Sequence, residues 1–234
     1  MNRSADNGIQ EIFSKIPKTY DLINHILTFG LDILWRKKAA KLARKHGGER
    51  WLDVCSGTGD MAGSLYKAAL PKTRIVALDF CLPMLKEIER KPQGKRVSLC
   101  VSNCNALPFA DNTFDVVTIS FATRNLNIDR ETLLRRFGEF RRVLKPGGKF
   151  INLETSQPLA KWFREAFHWY IALMVKPIGY IFSGSKTAYA YLSYTIPRFF
   201  PAQELEKILY QAGFKKVDFS QLTFGISAIH TAVK

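Results

Sequence analysis

The fold is decided by Trp51-Leu52-Asp53-Val54-Cys55-Ser56-Gly57-Thr58-Gly59-Asp60. A short apolar run leads into a glycine turn, and apolar residues then recur at helical spacing, so the stretch predicts a strand, a loop and a helix. Glycines at 57 and 59 let the backbone turn tightly and let a ligand approach main-chain N–H groups. A second strand, Ile75 to Leu78, is closed by Asp79, whose carboxylate can accept hydrogen bonds from a ribose diol. The segment therefore predicts a site for a nucleoside cofactor.

Two nucleoside cofactors fit this loop. The spacing Gly57-x-Gly59-x-x-Ala62, with Asp79 about 20 positions further on, satisfies the dinucleotide fingerprint. A short-chain dehydrogenase would also need a Tyr-x-x-x-Lys pair, and none of the eight tyrosines has a lysine at that spacing. Asp53 in the first strand and Thr58 between the glycines suit a smaller, zwitterionic ligand better. We therefore expect S-adenosylmethionine as the cofactor.

Composition indicates one globular domain over residues 1–234. Hydrophobic residues make up 47% of the chain and the mean hydropathy is −0.09, which excludes a disordered protein. The net charge of +15 attracts either nucleic-acid phosphates or anionic lipid headgroups. Charge alone leaves both partners open.

The four cysteines are Cys55, Cys81, Cys100 and Cys104. They form no C-x-x-C pair and have no histidines at zinc spacing, so we expect no metal site. Small buried thiols lining a crevice are the simplest interpretation. The polar stretch at 1–8 lacks the apolar core of a secretion signal, and a reduced, cytoplasmic setting fits best.

Strand and helix patterns alternate through the first two thirds of the chain. Helical spacing precedes Gly47-Gly48, and the predicted strands after it lie at Trp51, Ile75–Asp79, Val97–Val101, Phe114–Phe121 and Lys149–Glu154. The predicted helices between them are Asp60–Leu70, Leu82–Glu89 and Glu131–Leu144. This alternation predicts an α/β fold of the Rossmann-like type, a mostly parallel sheet whose ligands bind at the carboxyl ends of the strands. A helix at Leu205–Ala212 and two antiparallel strands, Lys215–Leu222 and Ile226–Val233, complete it.

Aromatic and aliphatic residues crowd an insertion at 156–200, which follows the N-terminal helices of 1–48 and the alternating core. Its longest charge-free run, Ala166–Val175, is shorter than the roughly 20 residues that a bilayer requires. An ordinary helix packed on the core and an apolar lid or interfacial helix are both open at this point.

Further motifs identify a family. Asn103-Cys104-Asn105-Ala106-Leu107-Pro108-Phe109 and Leu144-Lys145-Pro146-Gly147-Gly148, which ends a predicted helix, together with the glycine loop resemble class I S-adenosylmethionine-dependent methyltransferases. The segment Thr118–Asn125, the early Tyr20-Asp21-x-x-Asn24, Trp35-Arg36 and the late Ile226–His230 resemble the ubiquinone/menaquinone biosynthesis C-methyltransferases. The resemblance covers nearly the whole chain. It implies seven strands with the last antiparallel, and methyl transfer to a ring carbon of a polyprenylated hydroquinone, such as demethylmenaquinol or a ubiquinol precursor.

The resemblance also assigns roles by position. Gly57, Thr58 and Gly59 are expected to contact the methionine part of the cofactor. Asp79 is expected at the ribose, and Ser120 at the rim under the transferring methyl. Asn103 and Cys104 are expected around the adenine, although the family usually has a small residue at 104. Each residue also has a structural alternative, such as a plain turn for the glycines or a helix N-terminal carboxylate for Asp79.

For the chemistry, Arg124 is expected to stabilise the quinolate oxygen or to help remove its proton through a water, and Asn125 to orient the ring. The alternative for Arg124 is a structural ion pair. Tyr20, Asp21 and His230 are secondary candidates, and a packed, hydrogen-bonded histidine is the simpler interpretation of His230.

Five basic residues on one helix, Arg135, Arg136, Arg141, Arg142 and Lys145, raise nucleic acid as a rival substrate. Leu133, Phe137, Phe140 and Leu144 recur on the other side of that helix, so amphipathicity explains the arginines as a solvated face. No Asn/Asp-Pro-Pro-Tyr motif for base flipping occurs. The polyprenyl quinol that the resemblance implies therefore stays the expected substrate, taken up at the inner face of an anionic membrane, and homo-oligomerisation is left open.

Overall fold

A seven-stranded mixed sheet forms the centre of the protein. The computed structural model describes residues 17–183 and 186–234, together with residues 8 and 14; most of the predicted N-terminal segment at 1–16 lies outside that range. The strands are β1 (Arg50–Val54), β2 (Arg74–Asp79), β3 (Val97–Val101), β4 (Phe114–Ser120), β5 (Leu144–Thr155), β6 (Lys215–Leu222) and β7 (Ser227–Val233). Their order is β3-β2-β1-β4-β5-β7-β6. The first five are parallel, and β7 runs antiparallel to β5 and β6, which confirms the predicted topology.

Helices cover the sheet. They are α1 (Pro17–Leu27), α2 (Leu31–His46), α3 (Asp60–Ala68), α4 (Leu82–Glu89), α5 (Thr123–Leu126), α6 (Arg130–Val143), α7 (Lys161–Tyr170), α8 (Lys176–Ser183), α9 (Lys186–Thr195) and α10 (Ala202–Gln211). Two apolar clusters fill the sheet faces, one with α6 and α10 and one with α2, α3 and α4. Gly47, with φ of 86°, ends α2 as the sequence predicts.

The Lys-Pro-Gly-Gly segment differs from the prediction. Helix α6 ends at Val143, and Leu144 already pairs with Phe114 as the first residue of β5, so the predicted strand at Lys149–Glu154 starts too late. A register shift between Phe114 and Val116 absorbs the turn of the chain at this point. Bulges of this kind keep a strand paired while the backbone bends, and hydrophobic periodicity does not reveal them.

The insertion is helical from Lys161 to Arg198 wherever it is described. Helix α7 continues through a π-helical segment, Ile171–Val175, into α8, and α9 packs against that segment and α8. Together with Ile23 of α1, buried Val175 and Tyr189 form a third apolar cluster, so one face of the insertion packs as an ordinary core element.

The other face of the insertion is exposed, and Trp162, Trp169 and Ile181 are its most accessible apolar side chains, at 68–74% exposure. Among residues 17–183 and 186–234, no helix combines the length and apolarity needed to cross a membrane.

Gly179 sets the approach of α8 to α9. A Cβ at this position would lie 1.9 Å from the Tyr189 ring. We expect Gly179→Ala to destabilise the protein by about 1–3 kcal/mol, because one of the two helices must shift. Gly138, inside α6, is the matched control, since nothing lies within 4 Å of its Cβ position. Gly138→Ala is expected to stabilise the protein by about 0.5–1 kcal/mol. Urea unfolding measures both, and equal stability of Gly179→Ala and wild type would contradict the packing described.

Candidate active site

A cavity, here named the donor pocket, lies at the carboxyl ends of β1 to β4. Its wall contains most of the residues predicted for the cofactor, together with one predicted for the ring: Gly57, Thr58, Asp79, Asn103, Cys104, Ser120 and Asn125. Gly59 does not line it. Instead Gly59 has a φ of 82°, and a Cβ there would lie 2.5 Å from Ile88, so this glycine shapes the loop from behind.

The glycine loop is tied to the end of β2. Asp79 accepts hydrogen bonds from the N–H groups of Gly57 at 2.9 Å and Cys81 at 2.8 Å, one on each carboxylate oxygen. Burial raises the pKa of Asp79, while these bonds act in the opposite direction. A carboxylate oxygen can accept more than one bond, so both oxygens keep capacity for a ligand diol.

Asp53 lies beneath the loop and does not line the donor pocket. It is fully buried and accepts hydrogen bonds from Thr118 at 2.6 Å and Ser56 at 2.8 Å. Burial raises the pKa of Asp53 to about 6 in spite of these bonds. Asp53 therefore supports the loop from inside the sheet.

Helix α1 closes one side of the donor pocket. The Thr58 hydroxyl donates to Asp21, and Lys91 binds both Asp21 and Asp60 at 2.7 Å. Tyr20 and Asp21 both line the pocket. These two secondary candidates of the sequence are thus placed at the cofactor loop.

A second cavity, here named the acceptor pocket, adjoins the first and is lined mainly by apolar side chains of α1, α2, α7 and the π-helical segment. The two pockets share three wall residues, Tyr20, Arg36 and Phe121. Burial raises the pKa of Tyr20, against the opposing charges of Arg124 and Arg36, so its hydroxyl stays protonated at neutral pH. Trp35-Arg36 is one of the motifs that carry the family resemblance. No pattern in the sequence indicated that Arg36 and Phe121 lie between two cavities.

Arg124 and Asn125 lie on opposite sides of this boundary. Arg124 lines the acceptor pocket, whereas Asn125, predicted to orient the ring, lines the donor pocket, where its Oδ1 is buried without a hydrogen-bond partner. The Arg124 guanidinium also forms the structural ion pair considered as its alternative, at 3.1 Å from Glu154. Glu154 also accepts a hydrogen bond from the Arg124 backbone N–H. This buried pair therefore holds both the start of α5 and the Arg124 side chain in place.

His230 and Arg136 have structural positions. The His230 Nε2 lies 2.9 Å from the Ala202 carbonyl, and burial lowers its pKa to about 4; the residue lines neither pocket, in agreement with the packed interpretation. Arg136 was expected on a solvated face, and this is wrong: it is 1% exposed and binds Asn105 and the Leu126 carbonyl. It holds the loop after β3 against α6.

Three acidic or imidazole groups, His25, Asp32 and Asp60, approach one another closely enough to hold a metal ion. Arg36 donates to Asp32, and Lys91 donates to Asp60, so side-chain cations already neutralise these carboxylates. The arrangement is that of an ion-pair network.

The sequence of this chain is similar to those of known methyltransferases. All of residues 1–234 match the ubiE/COQ5 methyltransferase family. The chain belongs to this family. The demethylmenaquinone methyltransferase of Anoxybacillus flavithermus is 38% identical over all of this chain and 98% of its own length. The ubiquinone/menaquinone biosynthesis C-methyltransferase UbiE of Geobacter sulfurreducens is 36% identical over all of this chain and 92% of its own length.

The fold of this methyltransferase is shared with solved structures of low identity. A SAM-dependent methyltransferase from Aquifex aeolicus superposes with a TM-score of 0.57 at 19% identity, covering 83% of this chain and 88% of that one. The CurJ carbon methyltransferase gives a TM-score of 0.58 at 16% identity, covering 80% of this chain and 48% of that one. These similarities confirm the Rossmann-like methyltransferase architecture.

Proposed function

We propose that this methyltransferase transfers the methyl group of S-adenosylmethionine to a ring carbon of a polyprenyl hydroquinone, converting demethylmenaquinol to menaquinol. The observation that carries the proposal is that a pocket with charged and polar groups among apolar ones adjoins a mainly apolar pocket, and that the two share the wall of Tyr20, Arg36 and Phe121. The names of the two relatives supply the acceptor class. A ubiquinol precursor, which the second relative's name includes, is the further acceptor to test.

The donor pocket fits the proposed cofactor in charge. Asp21 and Asp60 line it and share one cation, Lys91, so the wall keeps net negative charge, which suits a ligand that carries a sulfonium and an ammonium. The unpartnered Oδ1 of Asn125 offers an acceptor to a ligand N–H group. The proposed contacts are Gly57 and Thr58 for the methionine part, Asp79 for the ribose, Asn103 and Cys104 for the adenine, and Ser120 for the rim beside the methyl; Gly59 acts by shaping the loop.

When bound, S-adenosylmethionine supplies an electrophilic methyl group on a sulfonium. The chain must then hold the hydroquinone with one ring carbon facing the donor pocket and its neighbouring oxygen as the anion. Arg124, with its charge in a buried wall of the acceptor pocket, stabilises that oxygen, and the protonated Tyr20 hydroxyl is a second donor to it. Positioning of the two reactants supplies much of the rate.

One assay tests the proposal. The purified protein is incubated with methyl-labelled S-adenosylmethionine and either a short-chain demethylmenaquinol or a demethyl ubiquinol precursor. Label in the menaquinol ring is the expected result. Label in neither quinol, from a folded protein that binds the cofactor, would refute the acceptor class.

We also propose that the chain is one catalytic domain whose insertion, at 156–200, meets an anionic membrane surface. Helix α7 places Phe163 and Phe167 in the acceptor pocket and exposes Trp162 and Trp169 elsewhere on the same helix. Amphipathic elements with exposed tryptophan insert at lipid interfaces, and the net charge of +15 favours anionic lipid. A greasy acceptor would then reach its pocket directly from the bilayer.

The double variant Trp162→Ser/Trp169→Ser is expected to bind anionic liposomes at least tenfold more weakly than wild type. Each tryptophan that becomes buried in the lipid interface contributes about 1.5–3 kcal/mol to binding. Sedimentation with phosphatidylglycerol vesicles at rising salt measures this. Leu70→Ser, at an exposed apolar residue outside the insertion, is the control and should bind normally. Equal binding of the double variant and the control would remove the insertion from the lipid contact.

A further inference from the structure

Arg36 of α2 has an unusual position for a basic side chain. It is 6% exposed, packs over the Phe121 ring with its guanidinium carbon 5.1 Å from the ring centroid, and lines both pockets. Among the described residues it is the sole lysine or arginine lining the donor pocket, whose other charged groups are Asp21, Asp60 and Asp79.

The guanidinium is oriented by one carboxylate and left with unused donors. Its Nη1 donates to Asp32, which is held in turn by Thr28 at 2.7 Å and His25 at 2.8 Å. Within the described part of the chain, Asp32 is the one hydrogen-bond acceptor for Arg36: Asp60 stays at 3.8 Å, and the buried Nε has no partner. Unpaired donors of a buried cation are costly, and a ligand anion relieves that cost.

The charged groups of the proposed cofactor indicate which of them Arg36 contacts. S-adenosylmethionine carries two cationic groups and one carboxylate. Asp21 and Asp60 share the single cation of Lys91, so this side of the donor pocket keeps net negative charge for the ligand cations, and Arg36 is left for the anion. We propose that Arg36 binds the carboxylate of the cofactor's amino-acid half and so distinguishes it from nucleosides that lack this group. The inference rests on the proposed cofactor.

Calorimetry with two probes tests the role. Wild type is titrated with S-adenosylmethionine and with its decarboxylated analogue, which keeps the sulfonium and an ammonium. We expect wild type to prefer the carboxylate form by about 10- to 100-fold, as a charged hydrogen bond predicts. Arg36→Met should lose that factor for S-adenosylmethionine and keep its affinity for the analogue, with Arg36→Lys in between.

Folding is controlled separately, because Arg36→Met leaves Asp32 without its cation. The double variant Asp32→Asn/Arg36→Met removes both charges, and Asp32→Asn alone is its reference. The role is supported if Asp32→Asn still prefers S-adenosylmethionine over the decarboxylated analogue and the double variant has lost that preference. A preference that survives in the double variant would overturn it. If wild type binds neither probe, the proposed cofactor itself is wrong, and if wild type binds both equally, only the carboxylate contact is.

Discussion

Arg124→Met is expected to lower turnover by about 10²- to 10³-fold while leaving affinity for S-adenosylmethionine nearly unchanged. Arg124 lines the acceptor pocket and not the donor pocket, so we expect its charge to act on the proposed quinolate oxygen. Removal of one preorganised donor to a developing anion has an effect of this size in other enzymes. Single-turnover kinetics with a short-chain demethylmenaquinol, together with calorimetry of the cofactor, separate the two quantities.

The ion pair with Glu154 complicates this variant and also provides its control. Glu154 is 1% exposed, and an unpaired charge at that depth costs about 3–5 kcal/mol of stability. Arg124→Met/Glu154→Gln removes both charges and is expected to regain most of the stability while turnover stays low. If the double variant recovered turnover, Arg124 would be a counter-ion to Glu154 and not part of the chemistry.

Asp79→Asn is expected to weaken cofactor binding by about 10²-fold or more. The amide nitrogen would face the Gly57 or Cys81 N–H, where the carboxylate now accepts, and one oxygen would be lost to the ribose. Calorimetry with S-adenosylhomocysteine measures the affinity, and turnover at saturating cofactor is expected to fall much less.

Asp115→Asn is the matched control for that substitution. Asp115 also accepts backbone N–H groups, from Glu49 and Arg50 at 2.9 Å, but it lines neither pocket. Asp115→Asn should lower the melting temperature and leave cofactor affinity intact. Comparable affinity losses in both variants would mean that Asp79 acts through stability alone.

The sheet could be read from the sequence because its signals are local. The apolar runs of the parallel strands and the glycines at 57 and 59 each report on a few neighbouring residues, and the mostly parallel arrangement of the strands follows from their alternation with helices. The early start of β5 and the π-helical segment at Ile171–Val175 were not predicted from the sequence, because both depend on how distant elements pack.

The site was predictable where one residue type is demanded by geometry. Asp79 at a strand end and the glycine turn are such cases. The division into two pockets was not, since the shared wall includes Phe121, whose φ of 55° no local pattern encodes for phenylalanine. The buried Arg136 shows the same limit, because helical periodicity cannot tell a solvated arginine from one that binds a distant loop.

The two pockets have different architectural origins. The donor pocket is made mostly at the strand ends of the sheet, whereas the acceptor pocket takes most of its wall from helices of the N-terminus and the insertion. Among the residues that the structure describes, Tyr20, Arg36 and Phe121 alone line both. With the two pockets assigned as proposed, substitutions at positions such as Leu27, Phe167 or Leu192 are expected to change which ring or side chain is accepted and to leave the methyl-donor site unchanged, so that acceptor specificity can diverge among relatives that keep the same sheet.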